Sequence, residues 1–260
     1  MQKSETHRYA IRLAFHGASF SGWQIQLEQK TVQGELTVSL NSLLKEDVKI
    51  IGAGRTDTGV HALNYVAHFD TQKVIEPEEI VSRLNRFLPE RISIFEIKKV
   101  NTDFHARFSA TSRSYSYTIR REKYAFQNDM VWNYNRDIDY KILDECALSL
   151  KSTKNFSAFE RSGSDNTNSI CEILHASWVK ENGSVIFKIK ANRFLRNMVR
   201  SIVGTMVETA NGKRSVHDWN ALLLGGNRSD SGNSAPSQGL IFMGVTYPKT
   251  PFYEREVSNY

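Results

Sequence analysis

The sequence predicts an α+β protein, in which short strands and amphipathic helices alternate along a chain of 260 residues. Two observations support this fold class. Apolar residues recur with strand spacing in some segments and with helix spacing in others, and only five prolines interrupt them. Hydrophobic residues make up 40% of the chain and charged residues 24%. This composition is typical of globular proteins and excludes collagen, coiled coils and disordered chains.

The first half of the chain is predicted to contain four strands and two helices. The apolar patterns place the strands at 9–15, 48–51, 63–69 and 92–100. A helix is predicted to follow Thr31, since Val32, Leu36 and Leu40 recur at helical spacing after a residue that can cap it. A second helix is predicted over 77–87, beginning with a proline.

The second half repeats the mixture, and we expect the boundary between residues 103 and 104, with units 1–103 and 104–260. Strands are predicted at 112–120, 171–179, 185–190 and 240–246, and helices at 140–150, 194–208 and 216–224. Alternation along the first of these strands puts Tyr115 and Tyr117 on one face. Ten of the fifteen residues from 225 to 239 are Gly, Ser or Asn, which predicts a mobile loop.

Positive charge is concentrated in two segments of the second half. The whole chain carries a net charge of +6, and segments 105–123 and 191–228 each carry +4, so the remainder is slightly acidic. Aromatic residues lie among the arginines of both segments, a pattern that favours nucleic acid because bases stack on rings while phosphates meet guanidinium groups. Two solvated charged faces remain the alternative.

The composition also predicts a soluble, cytoplasmic protein. No apolar run approaches the roughly 20 residues that a membrane span needs, and the first eight residues are polar. The only cysteines, Cys146 and Cys171, are too few for a disulfide framework, so we predict two buried thiols.

The densest cluster of reactive and glycine residues is Gly52-Ala53-Gly54-Arg55-Thr56-Asp57-Thr58-Gly59-Val60-His61-Ala62. It has neither the third glycine of a dinucleotide site nor the Gly-Lys-Ser/Thr ending of a phosphate loop. Asp57 follows a predicted apolar strand, a common position for a side chain that faces a ligand. Two alternatives stay open: Asp57 caps the following turn, or it binds a metal together with His61, although two ligands are few.

This cluster resembles the signature of the tRNA pseudouridine synthase A family, and further blocks of similarity follow in the order expected for that family. The other blocks are Gly22-Trp23-Gln24 with Thr31-Val32-Gln33-Gly34, Asn85 with Leu88-Pro89, Phe104-His105-Ala106-Arg107, Arg113-x-Tyr115-x-Tyr117, Asn192-x-Phe194-Leu195-Arg196-x-Met198-Val199-Arg200, and Ala235-Pro236 with Gly239-Leu240. The chain departs from the family at His16, where Asp is usual, and at Thr58, where Ala is usual.

The resemblance implies the pseudouridine synthase fold, an extended mixed, largely antiparallel sheet flanked by helices with a central active-site cleft. It also implies isomerisation of uridine to pseudouridine at positions 38, 39 and 40 of the tRNA anticodon stem-loop. The reaction oxidises nothing, and no group enters or leaves, so it needs neither a cofactor nor a metal. A homodimer in which one tRNA contacts both subunits is expected as well.

The resemblance assigns roles to six residues of this chain. Asp57 is the catalytic carboxylate, Arg200 its ion-pair partner, and Tyr115 stacks on the flipped uracil, with a hydroxyl available to move a proton. Arg55 fills the space that the flipped base leaves. The remaining predicted substrate-binding residues are Arg113 and Arg196.

Two other function classes remain as alternatives. One is a non-catalytic RNA-binding module or RNA chaperone with the same fold, which would have no need of Asp57, Tyr115 and Arg200. The other is a metal-dependent nuclease that uses Asp57 and His61, which full activity in excess chelator would exclude. Three routes are equally open for Asp57: attack on the base, attack on the ribose, or removal of a ribose proton to form a glycal.

Overall fold

The computed structural model describes residues 5–123, 125–161, 163 and 167–252. These residues form nine β-strands and five α-helices and fall into two compact units. The described part of the first unit comprises residues 5–111 and 242–252, and the second unit lies within 112–241. Each unit combines strands with helices, which confirms the predicted α+β class. The domain boundary expected at residue 103 stays a prediction.

In the first unit, the sheet is antiparallel and has β1 (His7–Phe15) at its centre. β1 pairs with β3 (His61–Thr71) on one side and with β4 (Ile92–Val100) on the other, so that Ile11 lies opposite Ala67 and Ile97. The short strand β2 (Ile50–Gly52) pairs with β3. Ile11, Ala67 and Ile97 are all buried, so the centre of this sheet contributes directly to the core.

Two helices accompany this sheet, and local sequence explains where each begins. α1 (Val32–Leu44) starts after Thr31, whose hydroxyl oxygen accepts a hydrogen bond from the Gly34 amide at 3.2 Å, and this satisfies a donor at the helix end. α2 (Pro77–Phe87) has proline in its first turn, where the missing N–H costs nothing. The predicted start of α1 and the predicted bounds of α2 are confirmed.

The second unit contains another mainly antiparallel set of strands. β8 (Ser184–Ala191) pairs with β5 (Ser112–Arg120) and with β7 (Ile173–Glu181), both antiparallel. The two-residue strand β6 (Trp132–Asn133) is parallel to β5. One parallel pair among antiparallel ones makes the arrangement mixed but largely antiparallel, as predicted. The last strand of the described residues, β9 (Leu240–Thr246), has the predicted bounds, and five of its seven residues, from Phe242 onward, belong to the first unit.

Three helices complete the second unit: α3 (Tyr140–Ser149), α4 (Met198–Ala210) and α5 (Val216–Leu223). α4 is its central core helix, since every residue of α4 except Arg200 and Glu208 is buried. A helix that is apolar on nearly all sides belongs in a core. Arg200 is therefore a half-buried cation on a helix in which every other residue except Glu208 is buried.

The prediction that α4 begins at Phe194 is wrong by four residues. Asn197 has φ = +64°, a left-handed conformation that cannot continue a right-handed helix. The helix therefore starts at Met198, and Phe194–Asn197 form a loop that leads into it. Apolar spacing continues through this loop because Leu195 is buried as well, which is why the pattern looked helical.

The segment 225–239 is a loop, but many of its polar groups form hydrogen bonds. The Gly232 amide donates to the Thr205 hydroxyl oxygen at 3.0 Å, and Arg228 donates to the carbonyl oxygen of the same glycine at 3.2 Å. Ala235 is 1% exposed, and its amide donates to the carbonyl oxygen of Arg200 at 2.9 Å. The composition predicted mobility, whereas these contacts attach the loop to α4.

The two cysteines are free and buried, as predicted. Burial raises the pKa of the Cys146 thiol to about 12 and that of Cys171 to about 11, so both thiols are protonated at neutral pH. In the part of the chain that the structure describes, no helix is long and apolar enough to cross a membrane.

Candidate active site

Asp57 lies on a tight turn between β2 and β3. The Val60 amide donates to the Asp57 carbonyl oxygen at 3.2 Å, which closes the turn. Gly59 lies within it at φ = +80°, a conformation that glycine adopts without a side-chain clash. Asp57 is half-buried and Arg55 is exposed. The turn therefore holds a partly accessible carboxylate directly beside buried strands.

A second segment, residues 20–23, is joined to this turn by backbone hydrogen bonds. The Trp23 amide donates to the Thr56 carbonyl oxygen at 3.3 Å, and the Gly59 amide donates to the Phe20 carbonyl oxygen at the same distance. Gly22 has φ = +86°, and a Cβ there would lie less than 3.0 Å from the Thr56 carbonyl oxygen. Glycine at this position thus allows the two backbones to approach closely just before Asp57.

Tyr65 and Trp23 fix the other end of the loop. The Tyr65 hydroxyl donates to the Gly54 carbonyl oxygen and accepts from the Gly54 amide at 3.3 Å. Its ring lies 4.2 Å from the ring of Trp23, and both rings are buried. A Cβ on Gly52 would collide with both, whereas Gly54 has open space around its Cα. The first glycine of the Gly-x-Gly pair is therefore required by packing.

His61 has a structural role at the end of the turn. It is 1% exposed, and its Nδ1 accepts a hydrogen bond from the Gly17 amide at 3.1 Å. The ring of His16 lies 4.3 Å from the ring of His61, and His16 also contacts the Arg91 guanidinium through its Nδ1. His16, one of the two departures from the family pattern, thus takes part in the packing behind the Asp57 turn.

In the second unit, the two tyrosines of β5 have different surroundings. Tyr117 is buried, and its hydroxyl donates to the Pro236 carbonyl oxygen at 2.7 Å. Burial raises the pKa of Tyr117, and the charge of Arg200 opposes this only in part. Tyr115 is half-buried and meets the ring of Phe194 edge-on at 5.1 Å. Tyr115 is therefore the more accessible of the two, and Tyr117 supports the strand and the 235–239 loop.

Arg200 is held in a fixed direction by the same loop. Its Nε donates to the Ala235 carbonyl oxygen at 2.8 Å, while its own carbonyl oxygen accepts from the Ala235 amide at 2.9 Å. Two hydrogen bonds with one residue restrict both the backbone and the side chain. The adjacent Pro236 accepts from Tyr117, so the second unit brings Arg200, the loop and β5 together.

The two other predicted arginines of the second unit lie near the loop that precedes α4. Arg113 on β5 donates from its guanidinium to the Asn192 carbonyl oxygen at 3.0 Å. Arg196 is exposed, and its carbonyl oxygen accepts from the Arg161 amide at 3.1 Å. The predicted residues therefore form two groups: Asp57 and Arg55 in the first unit, and Arg113, Tyr115, Arg196 and Arg200 in the second. Their catalytic and binding roles stay predictions.

The supporting residue that sequence reasoning missed is Tyr65. Its position in the middle of a predicted buried strand gave one signal, because a buried phenol generally needs a hydrogen-bonding partner. The partner itself, Gly54, lies 11 residues earlier, and periodicity alone does not identify such a pairing.

Comparison with known proteins places the chain in a family. A family model described as tRNA pseudouridine synthase matches residues 12–109 and 147–248. These segments include Asp57 and Arg200, while Tyr115 lies between them.

Relatives resemble the chain over nearly its whole length. It is 41% identical over 250 residues to tRNA pseudouridine synthase A of Bacteroides thetaiotaomicron, covering 95% of this chain and 93% of that protein. It is 40% identical to the protein of the same name from Bacteroides fragilis, covering 94% of this chain and 98% of that protein. For the protein of this name from Chlorobium luteolum, identity is 37% and coverage is 92% and 94%. The chain belongs to the tRNA pseudouridine synthase family.

Proposed function

We propose that this protein is an isomerase that converts uridine to pseudouridine at positions 38, 39 and 40 of the tRNA anticodon stem-loop. The observation that carries the proposal is the half-buried Asp57 on its glycine-supported turn, inside a segment that matches the family model. The choice of these three positions rests on the resemblance of the signature around Asp57.

The chemistry needs a carboxylate and a base that has left its stack. The bond between ribose C1′ and N1 of uracil breaks, the ring turns, and a bond from C1′ to C5 forms. The C5 proton then leaves and N1 gains a proton, so that the composition of the RNA is unchanged. Asp57 acts either as a nucleophile on the base or ribose, or as the base that removes a ribose proton.

Arg200 is proposed to keep Asp57 ionised during the reaction. A carboxylate enclosed with a substrate loses hydration, which favours its protonated form, and leaving it without a cation costs roughly 3–5 kcal/mol. The two hydrogen bonds between Arg200 and Ala235 support this role, because they limit the directions in which the guanidinium can point.

Tyr115 is proposed to stack on the flipped uracil and to move a proton when the ring regains aromaticity. Its partial exposure supports this assignment over the buried Tyr117. Arg55 is proposed to fill the space left by the base, and Arg113 and Arg196 to meet phosphates. Affinity for tRNA is then expected to fall as the salt concentration rises.

Two further parts of the proposal are a homodimer in which one tRNA contacts both subunits, which rests on the family resemblance alone, and action in the cytoplasm, which rests on the composition of the chain. Sedimentation equilibrium of the free protein at micromolar concentration tests the dimer. A monomer under these conditions would contradict it.

The test of the function is a map of pseudouridine in tRNA from cells that lack this protein. Loss at positions 38 to 40, restored by the wild-type gene, is the expected result. Loss at other positions would preserve the chemistry and refute the proposed substrate. An unchanged map would favour the alternative of a non-catalytic RNA-binding module.

A further inference from the structure

The segment Phe104–Ser109 of the first unit is a compact turn that presents an aromatic ring to solvent. The Ser109 amide donates to the His105 carbonyl oxygen at 2.9 Å, and the His105 amide donates to the Ser109 hydroxyl oxygen at 2.9 Å. The amides of Arg107 and Phe108 both donate to Nδ1 of His105, at 3.2 and 3.1 Å. These four hydrogen bonds fix the backbone around Phe108.

The turn is anchored in the core by a second histidine. His68 is 1% exposed, and its Nδ1 accepts from the Ala106 amide at 3.1 Å. The ring of His105 lies 4.8 Å from that of His68, and the Tyr247 hydroxyl donates to the Ala106 carbonyl oxygen at 2.7 Å. Burial lowers the pKa of His68 to about 4 and lowers the pKa of His105. Both rings are therefore neutral at neutral pH, as their acceptor roles require.

The rings of His68, His105 and Phe108 contact one another in that order, and Phe108 is the exposed one. Phe108 is 75% exposed, and its ring lies 4.4 Å from the ring of His105 at an interplanar angle of 33°. The Arg107 guanidinium lies 5.5 Å from the centre of the Phe108 ring. An exposed aromatic ring is common by itself, but this one is mounted on a fixed turn with a cation beside it.

Charge indicates what kind of partner this surface fits. The cation beside Phe108 is Arg107, the one Lys or Arg of the basic segment 105–123 that lies in the first unit; the other cations of this segment begin at Arg113, in the second unit. An exposed ring beside a guanidinium offers a base a face for stacking and its phosphate a cation. An apolar protein partner would gain nothing from the Arg107 guanidinium.

We propose that Phe108 is a stacking platform for a tRNA base other than the target uridine, and that Arg107 contacts a neighbouring phosphate. This inference rests on the proposed function for the identity of the ligand. It concerns binding alone, since Phe108 takes no part in the isomerisation.

The experiment measures the dissociation constant for tRNA at one fixed salt concentration, for the wild type and for four variants. Stacking is worth about 1–3 kcal/mol per base, so Phe108→Ala is expected to weaken binding by roughly 5- to 150-fold. Phe108→Leu keeps apolar area without a π-face and is expected to bind as weakly, whereas Phe108→Tyr retains wild-type affinity. Phe87→Ala removes another exposed ring, 64% exposed at the end of α2, and is expected to bind like the wild type.

Three results would overturn the platform. These are wild-type affinity in Phe108→Ala, full affinity in Phe108→Leu, or a change in oligomeric state on substitution of Phe108, which would assign the ring to a protein interface. If the wild-type protein forms no pseudouridine but its tRNA affinity still depends on Phe108, the proposed function fails and the platform stands. If pseudouridine forms normally and the affinity for tRNA does not depend on Phe108, the platform alone fails.

Discussion

Gly22 offers a sensitive test of how the Asp57 turn is supported, since the substitution Gly22→Ala adds one methyl group outside the turn itself. A Cβ on Gly22 would lie less than 3.0 Å from the Thr56 carbonyl oxygen and 3.1 Å from the Asp57 carbonyl carbon. Relieving this overlap requires the turn to move by roughly 0.5–1 Å, and a displacement of about 1 Å at a reacting group can cost about 100-fold in rate. We therefore expect the single-turnover rate constant for pseudouridine formation to fall about 100-fold.

Backbone strain has to be separated from this displacement. Alanine at φ = +86° adds a cost of about 1–2 kcal/mol in stability, which would lower the amount of folded enzyme but not the rate per folded molecule. Gly212→Ala is the matched control, because Gly212 has φ = +80° and no atom near its missing Cβ. It is expected to lose similar stability from strain and to keep the wild-type single-turnover rate constant.

The assay is single-turnover conversion of uridine in saturating enzyme, together with urea unfolding of both variants. Conversion by Gly22→Ala within about threefold of the wild-type rate would show that Gly22 does not position the Asp57 turn. An equal loss of rate in Gly212→Ala would refute this positioning role as well, since strain in general and not the Asp57 turn would then be responsible.

Two further predictions concern Tyr65 and His68. Tyr65→Phe removes the hydroxyl that bonds to Gly54. It is expected to lower the free energy of unfolding by about 1–3 kcal/mol and to reduce kcat, and unchanged turnover would show that this bond does not position the loop. Because burial lowers the pKa of His68 from its ordinary 6.5 to about 4, the neutral ring stabilises the fold above pH 6.5, and this contribution is lost as the pH falls from about 6.5 to 4. By linkage the loss is about 3 kcal/mol. Urea unfolding should therefore show that the free energy of unfolding falls more between pH 7 and pH 4 for the wild type than for His68→Asn. Equal decreases in the two proteins would contradict this role of His68.

Local sequence signals predicted the elements whose ends are determined locally. The bounds of α2 follow from Pro77 at its start, and those of β5 follow from alternating residues. The start of α4 was wrong because it depends on the left-handed backbone of Asn197, and apolar periodicity carries no information about that conformation. The anchoring of the 225–239 loop was missed for a related reason, since it depends on hydrogen bonds to Thr205 and Arg200, between 27 and 35 residues away.

The residues of the candidate site could be predicted from the sequence, but the residues that hold them in place could not. The glycines around Asp57 could be identified directly in the sequence, and the family resemblance supplied the role of the carboxylate. The physical reason for Gly52, which is packing against Tyr65 and Trp23, needs the fold, because those partners lie 13 residues after it and 29 residues before it. Likewise, alternation placed Tyr115 and Tyr117 on one face, and only their surroundings distinguish the accessible ring from the buried one.

The most direct test of the central claim is single-turnover pseudouridine formation by Asp57→Asn, measured beside its tRNA affinity. The amide keeps the size of the side chain and removes its charge, and the exposed Asp144 provides Asp144→Asn as a control for the loss of a surface carboxylate. Asp57→Asn is expected to bind tRNA within about threefold of the wild type and to lose at least about 10³-fold in rate, while Asp144→Asn retains both. Conversion by Asp57→Asn within tenfold of the wild-type rate would contradict the assignment of Asp57 as the catalytic carboxylate.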